Sequence, residues 1–253
     1  MEAPLVCLSG LSKRFGDFDA VAGLDLEIHR GEVFALLGPN GAGKTTTIRM
    51  LMGILQPTSG SVTIGGLDAG TDRAEVKRLV GYLPDEPVFY DYLRGREVIR
   101  FVGEMHGLTR TQVREVSAPL VERLEFDDAL EEYSVNYSRG MKKKLALVCA
   151  LMHDPELLIL DEPTNGLDPF ATRVVHTLVR DAVSDGKSVF FSTHLLDQAE
   201  KLCTRVGILH KGKLAAVGRL DELRRDASDD SSLEEIFFAV AADDASTPDG
   251  ADT

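Results

Sequence analysis

The first third of the chain places apolar and polar residues in a pattern that predicts strands. Leu5–Leu11 and Leu24–Ile28 carry apolar side chains at alternate positions, the period of a half-buried strand. Val33–Leu37 is an unbroken apolar run that ends in a glycine-rich turn. A helix is expected from Gly43 toward Leu55, where Gln56-Pro57-Thr58-Ser59-Gly60 breaks it. Short strands are expected at Ser61–Ile64, closed by Gly65-Gly66, and at Val80–Leu83. Between Pro84 and about Pro155 the period becomes helical: Val98, Phe101, Val102 and Met105 share one helix face, and Thr109 with Gln112 forms a capping-box signature. Strand and helix then alternate again. Leu157–Leu160 fits a strand buried on both faces, and Asp168-Pro169 opens a helix, with Asp as N-cap and Pro in the first turn. Ser188–Ser192, Val206–His210 and, after a Lys211-Gly212 turn, Lys213–Val217 read as further strands. Leu233, Ile236, Phe237 and Val240 predict an amphipathic helix docked on the domain, and Asp243–Thr253 is expected to be disordered.

Composition narrows the class. The 253 residues are 43% hydrophobic and 27% charged, ordinary globular usage. The formal charge is −13; residues 226–253 hold nine acidic and no basic residues, so the rest carries only −4. An acidic chain binds phosphate backbones poorly, and no nucleic-acid partner is expected; Lys142-Lys143-Lys144 reads as a solvated helix face. Three scattered cysteines, Cys7, Cys149 and Cys203, match no zinc spacing and favour a reducing compartment. The start is unlike a signal peptide, and no apolar run approaches the ~20 residues of a membrane helix.

Chemistry enters at Gly38-Pro39-Asn40-Gly41-Ala42-Gly43-Lys44-Thr45, which fits G-x-x-x-x-G-K-[ST] between a strand and a helix. Glycines let the backbone wrap so that its N–H groups point at phosphate oxygens, and the helix N-terminus adds its positive dipole end. Lys44 is expected to reach the β- and γ-phosphates, Thr45 to ligate Mg²⁺, and Thr46 to complete the cradle. The bland alternative is a structural glycine-rich turn. A metal partner follows in Leu157-Leu158-Ile159-Leu160-Asp161-Glu162. The strand brings Asp161 to the sheet edge where ligands of α/β sheets gather, and Glu162 can deprotonate or orient the attacking water.

With these motifs in place, residues 3–220 resemble the nucleotide-binding subunit of an ATP-binding-cassette (ABC) transporter. The resemblance implies a P-loop NTPase α/β cassette: a mostly parallel central sheet, an N-terminal antiparallel β subdomain and an inserted α-helical subdomain. It divides the chain into an ATPase domain at 1–225 with the insert at about 86–155, a helix at 226–242 and an acidic tail at 243–253. Phe15 matches the aromatic residue that stacks on adenine. Tyr137-Ser138-Arg139-Gly140-Met141 matches the signature, whose Ser138 and Gly140 would close on the γ-phosphate of ATP held by a second cassette. Asn165-Gly166-Leu167-Asp168 matches the D-loop, and His194 the switch histidine that contacts the γ-phosphate and holds the water. ATP, Mg²⁺, a dimer of cassettes and separate transmembrane permease subunits are thereby implied.

Two motifs depart from the family's pattern. Tyr82-Leu83-Pro84-Asp85 carries Asp where the family usually places Gln; Asp85 still offers an oxygen to the metal or its water. The signature has Arg139 and Met141 where Gly and Gln are common. Phe89, Tyr90 and Tyr92 stand where such cassettes receive a helix from the membrane subunit, or they pack the insert's own core. The resemblance implies an ATPase powering a transporter, exporter-like in its short C-terminal extension and variant motifs, held peripherally on the cytoplasmic face of the membrane. The alternatives are a soluble ABC ATPase acting on nucleic acid or ribosomes, which usually carries two cassettes or basic arms, and a regulatory module without turnover, against which Glu162 and His194 argue.

Overall fold

The computed structural model describes residues 3–227 together with Leu233, Glu235 and Phe237. The fold is α/β, and the chain forms two compact units: residues 1–28, 32–70 and 192–253 in one, 29–31 and 71–191 in the other.

The first unit opens with the hairpin β1 (Val6–Phe15) and β2 (Phe18–Ile28), to which β4 (Ser59–Ile64) and β5 (Leu67–Asp68) add in the antiparallel order β2-β1-β4-β5. Both hairpin strands run further than the apolar alternation predicted. Pairing continues to Phe15↔Phe18 through several irregularities that break the alternation. β3 (Val33–Leu37) is buried at every position and pairs parallel with β9 (Arg205–His210), which pairs antiparallel with β10 (Lys213–Arg219). α1 (Lys44–Leu51) leaves the end of β3 and stops four residues earlier than expected, where Gly53 takes a positive φ. A short helix, α7 (Leu196–Leu202), precedes β9, and α8 (Leu220–Ala227) follows β10; α8 is polar and was not predicted.

In the second unit β6 (Val80–Leu83) pairs parallel with β7 (Leu157–Asp161), in the register Leu83↔Leu160. β8 (Ser188–Thr193) is β7's other neighbour and is buried throughout; its last two residues belong to the first unit. α2 (Arg73–Leu79) escaped prediction because only Val76 of its seven residues is buried, too little for a visible period. The helices α3 (Gly95–Met105), α4 (Arg110–Arg123) and α5 (Arg139–Leu151) lie in the stretch read as helical, and α4 carries the Thr109–Gln112 capping box. α5 begins two residues before Met141, capped by Ser138. α6 (Pro169–Ser184) buries Val175, Leu178 and Val179.

Burial corrects one expectation. Lys142 and Lys144 are half-buried, and the Lys143 side chain is wholly buried, so Lys142–Lys144 is not a solvated face. The acidic tail and most of the expected C-terminal helix lie outside the described residues, although Leu233 is buried. Among the described residues, no helix is long and apolar enough to cross a membrane.

Candidate functional site

The first unit holds the phosphate loop, Phe15 and His194. The loop leaves buried β3 and enters α1 through Gly43, whose φ of +108° lies in the region open to glycine. A Cβ there would meet the Ala20 carbonyl at 2.4 Å, and one at Gly38 would meet the Leu209 carbonyl at 2.5 Å. Two backbone bonds brace the loop: Gly212 N–H donates to Ala42 O at 2.9 Å, and Ala22 N–H donates to Gly212 O at 2.8 Å. The tip residues Pro39, Asn40 and Gly41 are exposed.

Lys44 is buried beneath this turn and donates to Gly38 O at 2.6 Å and Pro39 O at 3.2 Å. Its ammonium lies inside the curve of the loop, with donors suited to phosphate oxygens. Of the threonines at the start of α1, Thr47 is buried and bonds back to Gly43 O at 3.0 Å, Thr46 is half-buried and Thr45 is exposed. Thr45 therefore has the hydroxyl open to a metal. Phe15, at the end of β1, is 50% exposed, with Lys13 Nζ 5.2 Å from its ring centroid. This exposure suits a stacking ring rather than a core aromatic. His194 is exposed just past β8.

The second unit holds the carboxylates and the signature. β7 ends in Asp161, 1% exposed, and Glu162, 8% exposed; Glu162 takes a left-handed φ of +45°. Because Leu83 pairs with Leu160, Asp85 leaves β6 at the same end. Asp85 Oδ1 accepts from Arg139 Nη2 at 3.2 Å and from Asn165 Nδ2 at 3.2 Å, and lies 3.5 Å from Lys143 Nζ. The residue expected at the metal is thus engaged through one oxygen by two cations and an amide. Burial pushes the Lys143 ammonium's pKa below its ordinary value, and the Asp85 charge pulls it back up.

Ser138 Oγ accepts from Met141 N–H at 3.2 Å as the N-cap of α5, and Gly140 is half-buried. Asp168 is exposed and caps α6, accepting from Ala171 N–H at 2.9 Å; that amide holds its carboxyl below the ordinary value. The sequence pattern alone does not point to Lys143 or to the side chain of Asn165. The available signal was the four-residue spacing of Arg139 and Lys143, which puts both on one face of α5. Tyr90 and Tyr92 are 70% and 85% exposed, with the Tyr90 ring edge-on to Phe101 of α3 at 6.2 Å between centroids; Phe89 is half-buried in a groove with Val88, Leu93, Val98 and Phe101.

The glycine cradle, its inward ammonium and the helix that follows fit a nucleotide triphosphate. Thr45 in the first unit and Asp161 in the second each carry a hard oxygen of the type Mg²⁺ takes. Among the described residues no group of three or more His, Cys, Asp or Glu gathers into a cage, and Mg²⁺ takes few protein ligands beside substrate phosphates.

A glycine-braced loop between strand and helix, with an Asp-Glu strand end, defines a P-loop NTPase cassette. The family model described as "ABC transporter" matches residues 21–165. The chain is 36% identical over 213 residues to the linearmycin resistance ATP-binding protein LnrL of Bacillus subtilis, covering 84% of this chain and 68% of LnrL. It is 35% identical over 237 residues to the "Probable multidrug ABC transporter ATP-binding protein YbhF" of Escherichia coli, covering 92% of this chain but only 41% of YbhF. A solved structure, "Structure of ATP binding subunit of ABC transporter", superposes with a TM-score of 0.89 at 32% identity, over 94% of this chain and 99% of that one. The chain belongs to the ABC transporter family and is an ATPase.

Proposed function

We propose that this chain is the ATP-hydrolysing subunit of a membrane exporter. The observation that carries the proposal is the phosphate loop, with its inward-facing Lys44 ammonium and a Gly43 position closed to any side chain. Residues Gly38 to Thr46 hold the phosphate chain of ATP by backbone N–H groups and Lys44, and Phe15 carries the adenine. Thr45 and Asp161 would hold Mg²⁺, whose charge would offset that of the β- and γ-phosphates. Glu162 accepts the proton of the attacking water, and its low exposure favours a fixed geometry over a solvated one. His194 donates to the γ-phosphate and orients the same water.

Ser138 and Gly140 stand at the N-terminus of α5, whose positive dipole end suits the γ-phosphate of a second cassette, so ATP joins two subunits. The exposed Tyr90 and Tyr92 and the apolar groove beside them suit a helix of a separate permease subunit. That assembly places the chain peripherally on the cytoplasmic face of a membrane. The cargo is a drug-like or antibiotic molecule, a reading supported by the names of the relatives, one a resistance protein and one a multidrug transporter protein.

Sedimentation of a Glu162→Gln variant tests the dimer. The expected result is a dimer with ATP and Mg²⁺ and a monomer with ADP. A monomer under both conditions, from a variant that still binds ATP, would contradict it.

A further inference from the structure

The buried ammonium of Lys143 has no place in the reading above. It lies within the second unit, one helical turn beyond Arg139 on α5, and its side chain is wholly buried. Nζ donates to Glu162 O at 2.5 Å and to Asn165 O at 3.0 Å. Glu162 O also accepts from Asn165 N–H at 3.1 Å, so two donors hold this one carbonyl. Glu162 itself sits at φ +45°, a conformation that side-chain-bearing residues rarely adopt and that persists only where surrounding contacts enforce it. Asp85 Oδ1 lies 3.5 Å from Nζ and also accepts from Asn165 Nδ2, joining the same two segments.

We propose that Lys143 is a positioning residue for hydrolysis. Its ammonium clamps the Glu162 and Asn165 carbonyls, fixing the backbone from which the Glu162 carboxylate projects, and Asp85 serves as its counter-ion. The inference rests on Glu162 being the base. A long flexible side chain is seldom buried whole, and a buried ammonium needs both a counter-charge and acceptors for its protons. Lys143 has one carboxylate and two carbonyls, each on a segment next to or containing the proposed base. The clamp acts on orientation, so it governs the chemical step rather than nucleotide affinity. Displacing the base by a fraction of an ångström slows reaction while leaving the phosphate loop of the other unit untouched.

The test is single-turnover ATP hydrolysis by the full-length protein, with nucleotide affinity measured alongside, for wild type, Lys143→Met, Glu162→Gln and the double variant. Lys143→Met should hydrolyse about 10- to 100-fold more slowly at saturating ATP, with the nucleotide Kd within about 2-fold of wild type. In the Glu162→Gln background, adding Lys143→Met should change the rate by less than about 2-fold, because Lys143 acts through the carboxylate already removed. Lys143→Gln keeps an amide donor for one carbonyl and should fall between wild type and Lys143→Met; it carries the comparison if the Met variant does not fold. Wild-type-like hydrolysis by a folded Lys143 variant, or a full multiplicative loss in the double variant, overturns the inference alone. A wild-type rate that Glu162→Gln leaves unchanged overturns the assignment of the base, and this inference with it.

Discussion

Arg139 Nη2 lies 3.2 Å from Asp85 Oδ1, so two of the three residues at which the chain departs from the family's pattern touch each other. Neither departure stands alone. The carboxylate in place of the usual amide accepts from the guanidinium in place of the usual glycine, and the same oxygen lies 3.5 Å from Lys143 Nζ.

The two partners differ in what their loss leaves behind. The Arg139–Asp85 pair is partly exposed, with side chains 46% and 34% accessible, and such pairs contribute up to ~1 kcal/mol. Arg139→Ala should therefore lower unfolding stability by less than about 1 kcal/mol in a urea titration. Asp85→Ala also strips the buried Lys143 of its counter-ion and should cost more, about 2–3 kcal/mol. Equal costs for the two variants would show that Asp85 does not support Lys143.

At the phosphate loop, geometry and charge separate. Gly43→Ala forces a Cβ to within 2.4 Å of the Ala20 carbonyl at φ +108°, and should both destabilise the protein by 2 kcal/mol or more (an order-of-magnitude figure) and abolish nucleotide binding. Lys44→Ala removes the ammonium but leaves the turn. Calorimetric titration should show nucleotide affinity reduced roughly 10-fold or more, with the melting temperature changed by only a few degrees.

Asp168 shows a cap in this structure, and the cap can be tested apart from any part the residue plays between cassettes. Its carboxylate accepts from Ala171 N–H at the start of α6. Asp168→Ala should lower the melting temperature, and Asp168→Asn, which preserves the acceptor, should lower it less. A hydrolysis defect in a stable Asp168→Asn variant would then report a role beyond the cap.

His106 and His153 give the protein an acid-sensitive contact. Their rings stack with centroids 3.7 Å apart, and His153 Nε2 lies 3.2 Å from Val80 O. Burial, then the neighbouring His106, push His153 down from 6.5 to about 4. Between those values the unfolded chain binds a proton that the folded chain refuses. The contribution is thus complete above pH 6.5 and lost as pH falls toward 4. With partial exposure allowed for, it amounts to on the order of 1–2 kcal/mol by pH 5. His153→Asn, which keeps a donor for Val80 but does not titrate, should melt less steeply with falling pH between 7 and 5 than wild type does. Parallel curves would remove His153 from the acid response.

What the sequence disclosed followed the range of the interaction. The phosphate loop is written in eight consecutive residues, although the carbonyls that close Gly38 and Gly43 to a side chain belong to the distant Leu209 and Ala20, and β7 with Asp161-Glu162 is a contiguous run. The Thr109–Gln112 box and the Asp168-Pro169 start are equally local, and each stands as an observed cap. The Lys143 clamp joins residues 19 to 58 positions apart, and three consecutive lysines look solvated until the helix face is known. Asp85 offered a free oxygen on paper. The fold surrounds that oxygen with donors from α5 and from the segment after β7. The ends of β1 and β2 were missed for a related reason: pairing across the hairpin, rather than alternation within either strand, extends them to Phe15 and Phe18.

The central claim is that this ATPase powers a membrane exporter, and a tagged purification in mild detergent with identification of the co-purifying chains tests it most directly. The account predicts a multi-span membrane protein in stoichiometric amount, retained with Glu162→Gln in ATP. A protein that stays soluble and brings down only ribosomal or nucleic-acid-bound partners would contradict the exporter and leave the ATPase cassette standing.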